Sequence, residues 1–91
     1  MTIEKDIEDY LCEQVKTLGG EVRKAEWTGR RHCPDRRIMH PLLCCWVEVK
    51  APGQRPRPGQ VREHDRMRHL GEKVYVVATY DEVDELLKAI K

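Results

Sequence analysis

Apolar residues Ile3, Ile7, Tyr10, Leu11, Val15 and Leu18 recur three and four positions apart, which is the spacing of one helix face. Gly19-Gly20 ends the run, so a first helix is predicted over about residues 3–18. A short strand is expected over residues 21–27, and the polar, basic stretch 28–33 reads as a loop. Two strands follow, about 35–39 and 42–50, with His40-Pro41 at the turn. The segment "APGQRPRPG" holds three prolines and two glycines and is an irregular connection. A second helix is predicted from Pro58 or Gly59 to about residue 70, with Val61, His64, Met67 and Leu70 on one side and Gly71 as its stop. "KVYVVAT" is a β-branched strand whose near-continuous apolar character suggests burial on both faces. Thr79-x-x-Glu82 is a capping pattern before an amphipathic helix carrying Val83, Leu86, Leu87 and Ile90. The order α-β-β-β-α-β-α predicts an α/β fold, a mixed β-sheet flanked by helices, and the 91 residues suffice for a single domain, 1–91.

Charge changes this picture more than composition does. The net charge is only +1, yet residues 1–22 carry −4, residues 23–49 carry +3, residues 50–73 carry +4 and residues 74–91 carry −2. A basic middle between acidic ends suits a polyanion-binding face, although a solvated charged surface would read the same way. The longest apolar run, residues 41–47, is too short to cross a bilayer, and no signal-peptide pattern opens the chain, so a cytoplasmic protein without a membrane role is expected. Cys12, Cys33, Cys44 and Cys45 include no CxxC pair, and Cys44 and Cys45 point to opposite faces of a strand, so reduced thiols are expected rather than a disulfide framework or a zinc cluster with His32 and His40. Trp46 and Tyr75 are expected in the core.

The chemistry-bearing stretch is "CPDRRIMHPLLCCWVEVKAPG". A hairpin centred between Pro41 and Leu42 sets Met39 opposite Cys44, Arg37 opposite Trp46 and Asp35 opposite Glu48. Opposed residues of an antiparallel pair lie about 4.5–5.5 Å apart, so two carboxylates there repel unless a cation lies between them. A hard divalent ion such as Mg²⁺ accepts a few carboxylate oxygens together with water and phosphate. Lys50, two residues beyond Glu48, projects from the same face about 6.6 Å further along. Such a set fits phosphodiester hydrolysis, with metal as Lewis acid and a lysine beside the attacking water. Lys24, Arg30, Arg31, Arg36, Arg37, Arg55 and Arg57 are candidate contacts to backbone phosphates.

These residues together resemble the PD-(D/E)xK nuclease superfamily, and most closely the stand-alone virus-type replication-repair nuclease (VRR-NUC) domains of bacteriophages. The resemblance runs over nearly the whole chain, through "IEKDIEDYL", "LGGEVRK", "GRRHCPDR", "WVEVKAPG", Gln60 with His64, and "LGEKVYVV". It implies a Mg²⁺-dependent, structure-selective DNA endonuclease in which Mn²⁺ can substitute and no small-molecule cofactor takes part. Asp35 and Glu48 would be metal ligands with the backbone carbonyl of Val49, and Lys50 the catalytic lysine. A helix 1 glutamate completes such sites, and Glu4 and Glu8 both qualify. Gln60 would position Lys50 or a phosphate at the site's edge. The resemblance further implies a homodimer acting on branched DNA such as a Holliday junction, leaving a 5′-phosphate and a 3′-hydroxyl. Two departures concern loop geometry: His32 stands where a glycine commonly precedes the Cys-Pro-Asp, and "HPLL" replaces a glycine-bearing turn. Flap or duplex cutting, a DNA-binding module that does not cut, and a zinc-binding interaction protein are the rival readings.

Overall fold

The structure is a computed structural model that describes residues 1–91. Its elements are α1 (Glu4–Thr17), β1 (Glu21–Lys24), β2 (Arg36–His40), β3 (Leu43–Val49), α2 (Pro58–His69), β4 (Val74–Val77) and α3 (Tyr80–Leu87). The α-β-β-β-α-β-α order is therefore the one the hydrophobic pattern predicts. The four strands form one mixed sheet in the order β1-β2-β3-β4, antiparallel except for the parallel pair β3–β4. A parallel pair needs a crossover, and α2 supplies it. No helix is long and apolar enough to cross a membrane.

Turn chemistry fixes the sheet register. Pro41 and Leu42 form a two-residue turn, and β2 pairs with β3 through His40–Leu43, Met39–Cys44 and Arg37–Trp46. Arg36 lies opposite Val47, so the next step along the hairpin brings Asp35 to Glu48, as the spacing predicts. Alternation then sorts the side chains of β3. Leu43, Cys45, Val47 and Val49 enter the core with Ile38, Val77, the α1 residues Ile7, Leu11 and Val15, and the α3 residues Val83 and Leu87. Trp46 and Glu48 fall on the other face, the side that α2 reaches through Gln60.

Helix ends follow local rules. Asp6 accepts the Ile3 N–H at 2.9 Å at the start of α1, and Thr79 accepts the Glu82 N–H at 3.1 Å at the start of α3. The Glu82 carboxylate reaches back to the Ala78 N–H at 2.8 Å, one residue earlier than a capping box requires. In α2, Pro58 takes the first turn and Gln60 accepts the Arg57 N–H at 2.9 Å.

Three expectations need correction. The strand predicted over 21–27 ends at Lys24, because Trp27 leaves the ladder to pack edge-on against Trp46 at 6.0 Å. The last strand is covered on both faces only in part: Val74 and Val77, which point to opposite faces, are buried, whereas Tyr75 is 39% exposed rather than in the core. The inward face of α2 is Gln60, His64 and Met67, while Val61 and Leu70 are exposed. The predicted stripe was off by one position at its N-terminal end because the wall that α2 covers includes a carboxylate, which a glutamine meets better than a valine. Trp46 is half-buried, held by its indole N–H to Glu72 at 2.8 Å.

Ile38 is fully buried at the centre of the core cluster, whereas Leu42 at the hairpin tip is 66% exposed. Replacing Ile38 by Ala is expected to cost about 2–5 kcal/mol, and replacing Leu42 by Ala to stay within about 0.5 kcal/mol. Urea-unfolding midpoints would check this, and equal losses at the two positions would contradict the packing described.

Candidate active site

Asp35 sits where the chain enters β2, immediately after the buried Pro34. Its backbone carbonyl accepts from Ala25 N–H at 3.0 Å and from the Arg36 guanidinium at 2.8 Å. Its side-chain Oδ1 accepts the Val49 N–H at 3.1 Å, which ties the carboxylate across the hairpin to the end of β3. Glu48, one residue earlier on β3, is 5% exposed. Its Oε2 receives Gln60 Nε2 at 3.3 Å and lies 3.5 Å from Lys50 Nζ. Its Oε1 is buried with no hydrogen-bond partner. A buried carboxylate oxygen left unpaired costs on the order of 1–3 kcal/mol or more, so some other group is called for at that position.

Both acids are hard to ionise where they stand. Burial, then the neighbouring Glu48 charge, pushes Asp35 from an ordinary 3.8 up to about 6, against the pull of the Val49 N–H and Lys50. Glu48 is also raised, first by burial, while Lys50 opposes the shift. Cys33, two residues before Asp35, is pushed up to about 11 by burial and then by Glu48. The local field is thus negative and underpaired despite the basic segments around it.

The helix 1 glutamates behave differently from each other. Glu8 is held in an ion pair with Arg36, and Lys5 approaches its other oxygen at 4.0 Å. Glu4, at the first position of α1, is exposed, and its charge raises both Asp35 and Glu48. Gln60 accepts the Arg57 N–H at the start of its own helix and donates to Glu48, which joins α2 to the carboxylate pair. His64, one turn further on the same face of α2, is 1% exposed with Nε2 unpartnered. Burial, helped by Arg68, holds its pKa below the usual histidine value. The i, i+4 spacing of Gln60 and His64 was the available sign of a polar inner face.

The basic candidates separate into paired and unpaired. Arg30 binds Glu63 at 2.6 Å, Arg36 binds Glu8, and Arg37 stacks 4.9 Å over the Trp46 ring with Glu72 at 4.0 Å. Arg31 and Arg57 line an open cleft at the start of α2. Arg55 lines a separate groove with Gly53, Gln54 and Pro56. Lys24 is exposed at the end of β1.

No protein-family model matches the sequence. The chain is similar to a protein of Acyrthosiphon pisum secondary endosymbiont phage 1 named "Putative nuclease p44", at 40% identity over 88 residues, which is 96% of this chain and 94% of that one. A solved structure described as a "VRR_NUC domain" matches with a TM-score of 0.86 and 36% identity over 97% of each chain. The chain belongs to the VRR-NUC nuclease family.

The VRR-NUC fold implies a divalent metal, and the residues at the carboxylate pair fit one. Asp35 and Glu48 offer only hard oxygen donors, Glu48 Oε1 lacks a partner, and both acids are destabilised as anions without a cation. No three His, Cys, Asp or Glu side chains converge into a ready-made cluster. Backbone oxygen, water or substrate would therefore have to complete the shell, as Mg²⁺ sites commonly arrange.

A raised acid stabilises the fold only while protonated. Asp35 therefore contributes fully below 3.8 and loses that contribution as pH rises through about 6. In EDTA, Asp35→Asn, which retains an acceptor for the Val49 N–H, is expected to be more stable than wild type at pH 7.5. After allowing for solvent screening the gap is about 1 kcal/mol. Urea melts at pH 7.5 and pH 4 would show the gap closing at the lower pH; a gap that widens there would contradict the assignment.

Proposed function

We propose that this VRR-NUC protein is a Mg²⁺- or Mn²⁺-dependent DNA endonuclease that cuts branched DNA. The observation that carries the proposal is the underpaired Asp35–Glu48 carboxylate pair with Lys50 Nζ 3.5 Å from Glu48 Oε2. Asp35, Glu48 and the Val49 carbonyl would hold the metal, which when bound polarises the scissile phosphate and lowers the pKa of its water. Gln60 keeps Glu48 aimed, by anchoring one end of its amide on the Arg57 N–H. Lys50 orients the attacking water and balances the charge that develops on the phosphate. Attack on phosphorus breaks the bond to the 3′ oxygen and leaves a 5′-phosphate and a 3′-hydroxyl. Glu4 is the better-placed helix 1 glutamate, since its charge reaches both acids while Glu8 is occupied by Arg36.

The molecule measures 33 × 33 × 21 Å. One turn of duplex is about 34 Å long, so a single copy spans about a turn and carries one such site. Two strands of a junction are then cut by two copies, which supports a homodimer. A non-cutting DNA-binding domain has no use for a buried, unpartnered carboxylate oxygen beside a second acid.

Labelled four-way junction, flap, splayed-arm and duplex DNA would be incubated with Mg²⁺, Mn²⁺ or EDTA. Branched substrates are expected to be cut in either metal and spared in EDTA. Lys50→Ala is expected to slow cutting by roughly 10²–10³-fold, in the range lost with a charge-stabilising donor, and Asp35→Ala to abolish it. Tight binding without cutting under every metal condition would overturn the enzymatic reading.

A further inference from the structure

Arg31, His32, Arg57, Gly59 and Arg62 line an open cavity of about 610 Å³ that has no apolar side chain in its wall. Two separate stretches build it. One runs directly into Pro34-Asp35, and the other is the N-cap and opening of α2. They are fitted to each other. His32 has a positive φ of 69°, uncommon for a residue with a side chain. Its ring lies so close to residue 59 that a Cβ there would stand 2.6 Å from Nε2, so any larger residue would make the His32 ring shift.

Ion pairing sets this cavity apart. Of the ten arginines in the chain, six (Arg23, Arg30, Arg36, Arg37, Arg66 and Arg68) have a carboxylate within 4.0 Å. Three of the remaining four are Arg31, Arg57 and Arg62, all in this one wall. Guanidiniums gathered without acids repel one another, and an anion relieves that. Their planar forks match phosphate oxygens two at a time. The cleft is open to solvent and carries no Phe, Tyr or Trp, so charge rather than apolar contact is what its wall offers a ligand. Gln60 links this wall to the acids, with Oε1 on Arg57 N–H at 2.9 Å and Nε2 on Glu48 at 3.3 Å.

We infer that this cavity is a phosphate-binding subsite, holding a phosphate group of the nucleic-acid strand next to, and separate from, the phosphate that is cut. That the phosphate belongs to nucleic acid rests on the nuclease reading above; the anion site itself does not. A phosphate fixed here sets which bond of the strand reaches Asp35 and Glu48, so the subsite selects the cut position.

Binding of splayed-arm DNA, whose fork fixes the register, would be followed by fluorescence anisotropy in EDTA. The proteins are wild type, Arg62→Ala, Arg62→Lys and Arg31→Ala, with Arg66→Ala as a control for equal charge loss on the same helix. The substrates carry one neutral methylphosphonate at successive positions, and a further pair differs only in the 5′-phosphate. Arg62→Ala and Arg31→Ala are each expected to weaken binding about tenfold and to reduce the salt dependence by about one phosphate, while Arg62→Lys recovers only part. Arg66→Ala stays within about twofold, the range of a solvated surface charge. One substrate change should weaken wild type yet leave Arg62→Ala unaffected: an internal methylphosphonate identifies a backbone diester, and loss of the 5′-phosphate identifies a terminal monoester. Either result supports the subsite. Arg62→Ala and Arg31→Ala both matching Arg66→Ala, or equal penalties at all positions in every protein, would overturn it. Because no cutting occurs in EDTA, an inactive enzyme with intact coupling would sink the nuclease reading alone, and cutting without coupling would sink the subsite alone.

Discussion

Asp35 and Glu48 are held beside each other at the open end of a β-hairpin, partly out of water; burial makes both harder to ionise, and the Glu48 charge adds to the cost at Asp35. The pairing is fixed by backbone alone: the two-residue turn sets the register, and the Val49 N–H clamps the Asp35 carboxylate. Neither acid can move away without breaking that clamp or the Gln60 contact. The surrounding structure is arranged around keeping this unfavourable pair in place. The large apolar core between the sheet and helices α1 and α3 supplies the stability that an unpaired buried carboxylate oxygen takes away.

The helices divide the remaining work. α1 and α3 cover the sheet face that carries Val47 and Val49, while α2 serves the face with Glu48. α2 also begins at the cavity of unpaired arginines, so one short segment, Arg57 to Arg62, joins acid and base. Within the basic middle of the chain the fold thus sets two adjacent regions of opposite sign. A negative centre suits a cation, and a positive cleft beside it suits the strand whose phosphate that cation would engage.

Much of this was legible in the chain. Helix 1, the hairpin register and the capping Thr79 came from local rules, because apolar periodicity, turn length and side-chain capping act over a few residues. The Asp35–Glu48 opposition followed from that register. The misread parts depend on partners far away in sequence. The buried face of α2 is polar because it meets Glu48, which helical periodicity does not reveal. β4 is buried on both faces at Val74 and Val77, as its apolar run suggests, but Tyr75 is left exposed where no further strand flanks the sheet. The Arg36–Glu8 ion pair, on which the proposed choice of Glu4 over Glu8 rests, joins β2 to α1 and is not visible in the sequence. Arg62 is not among the phosphate contacts expected from sequence; its lack of a carboxylate neighbour and its place in one wall with Arg31 are seen only in the fold.

The central claim is that the carboxylate pair is a cation site. Calorimetric titration of Mn²⁺ into the DNA-free protein tests it most directly, comparing wild type with Glu48→Gln and Lys50→Ala. The account predicts saturable binding in wild type, its loss in Glu48→Gln, and its retention or strengthening in Lys50→Ala, where a competing cation has been removed. Equal binding by wild type and Glu48→Gln would contradict it.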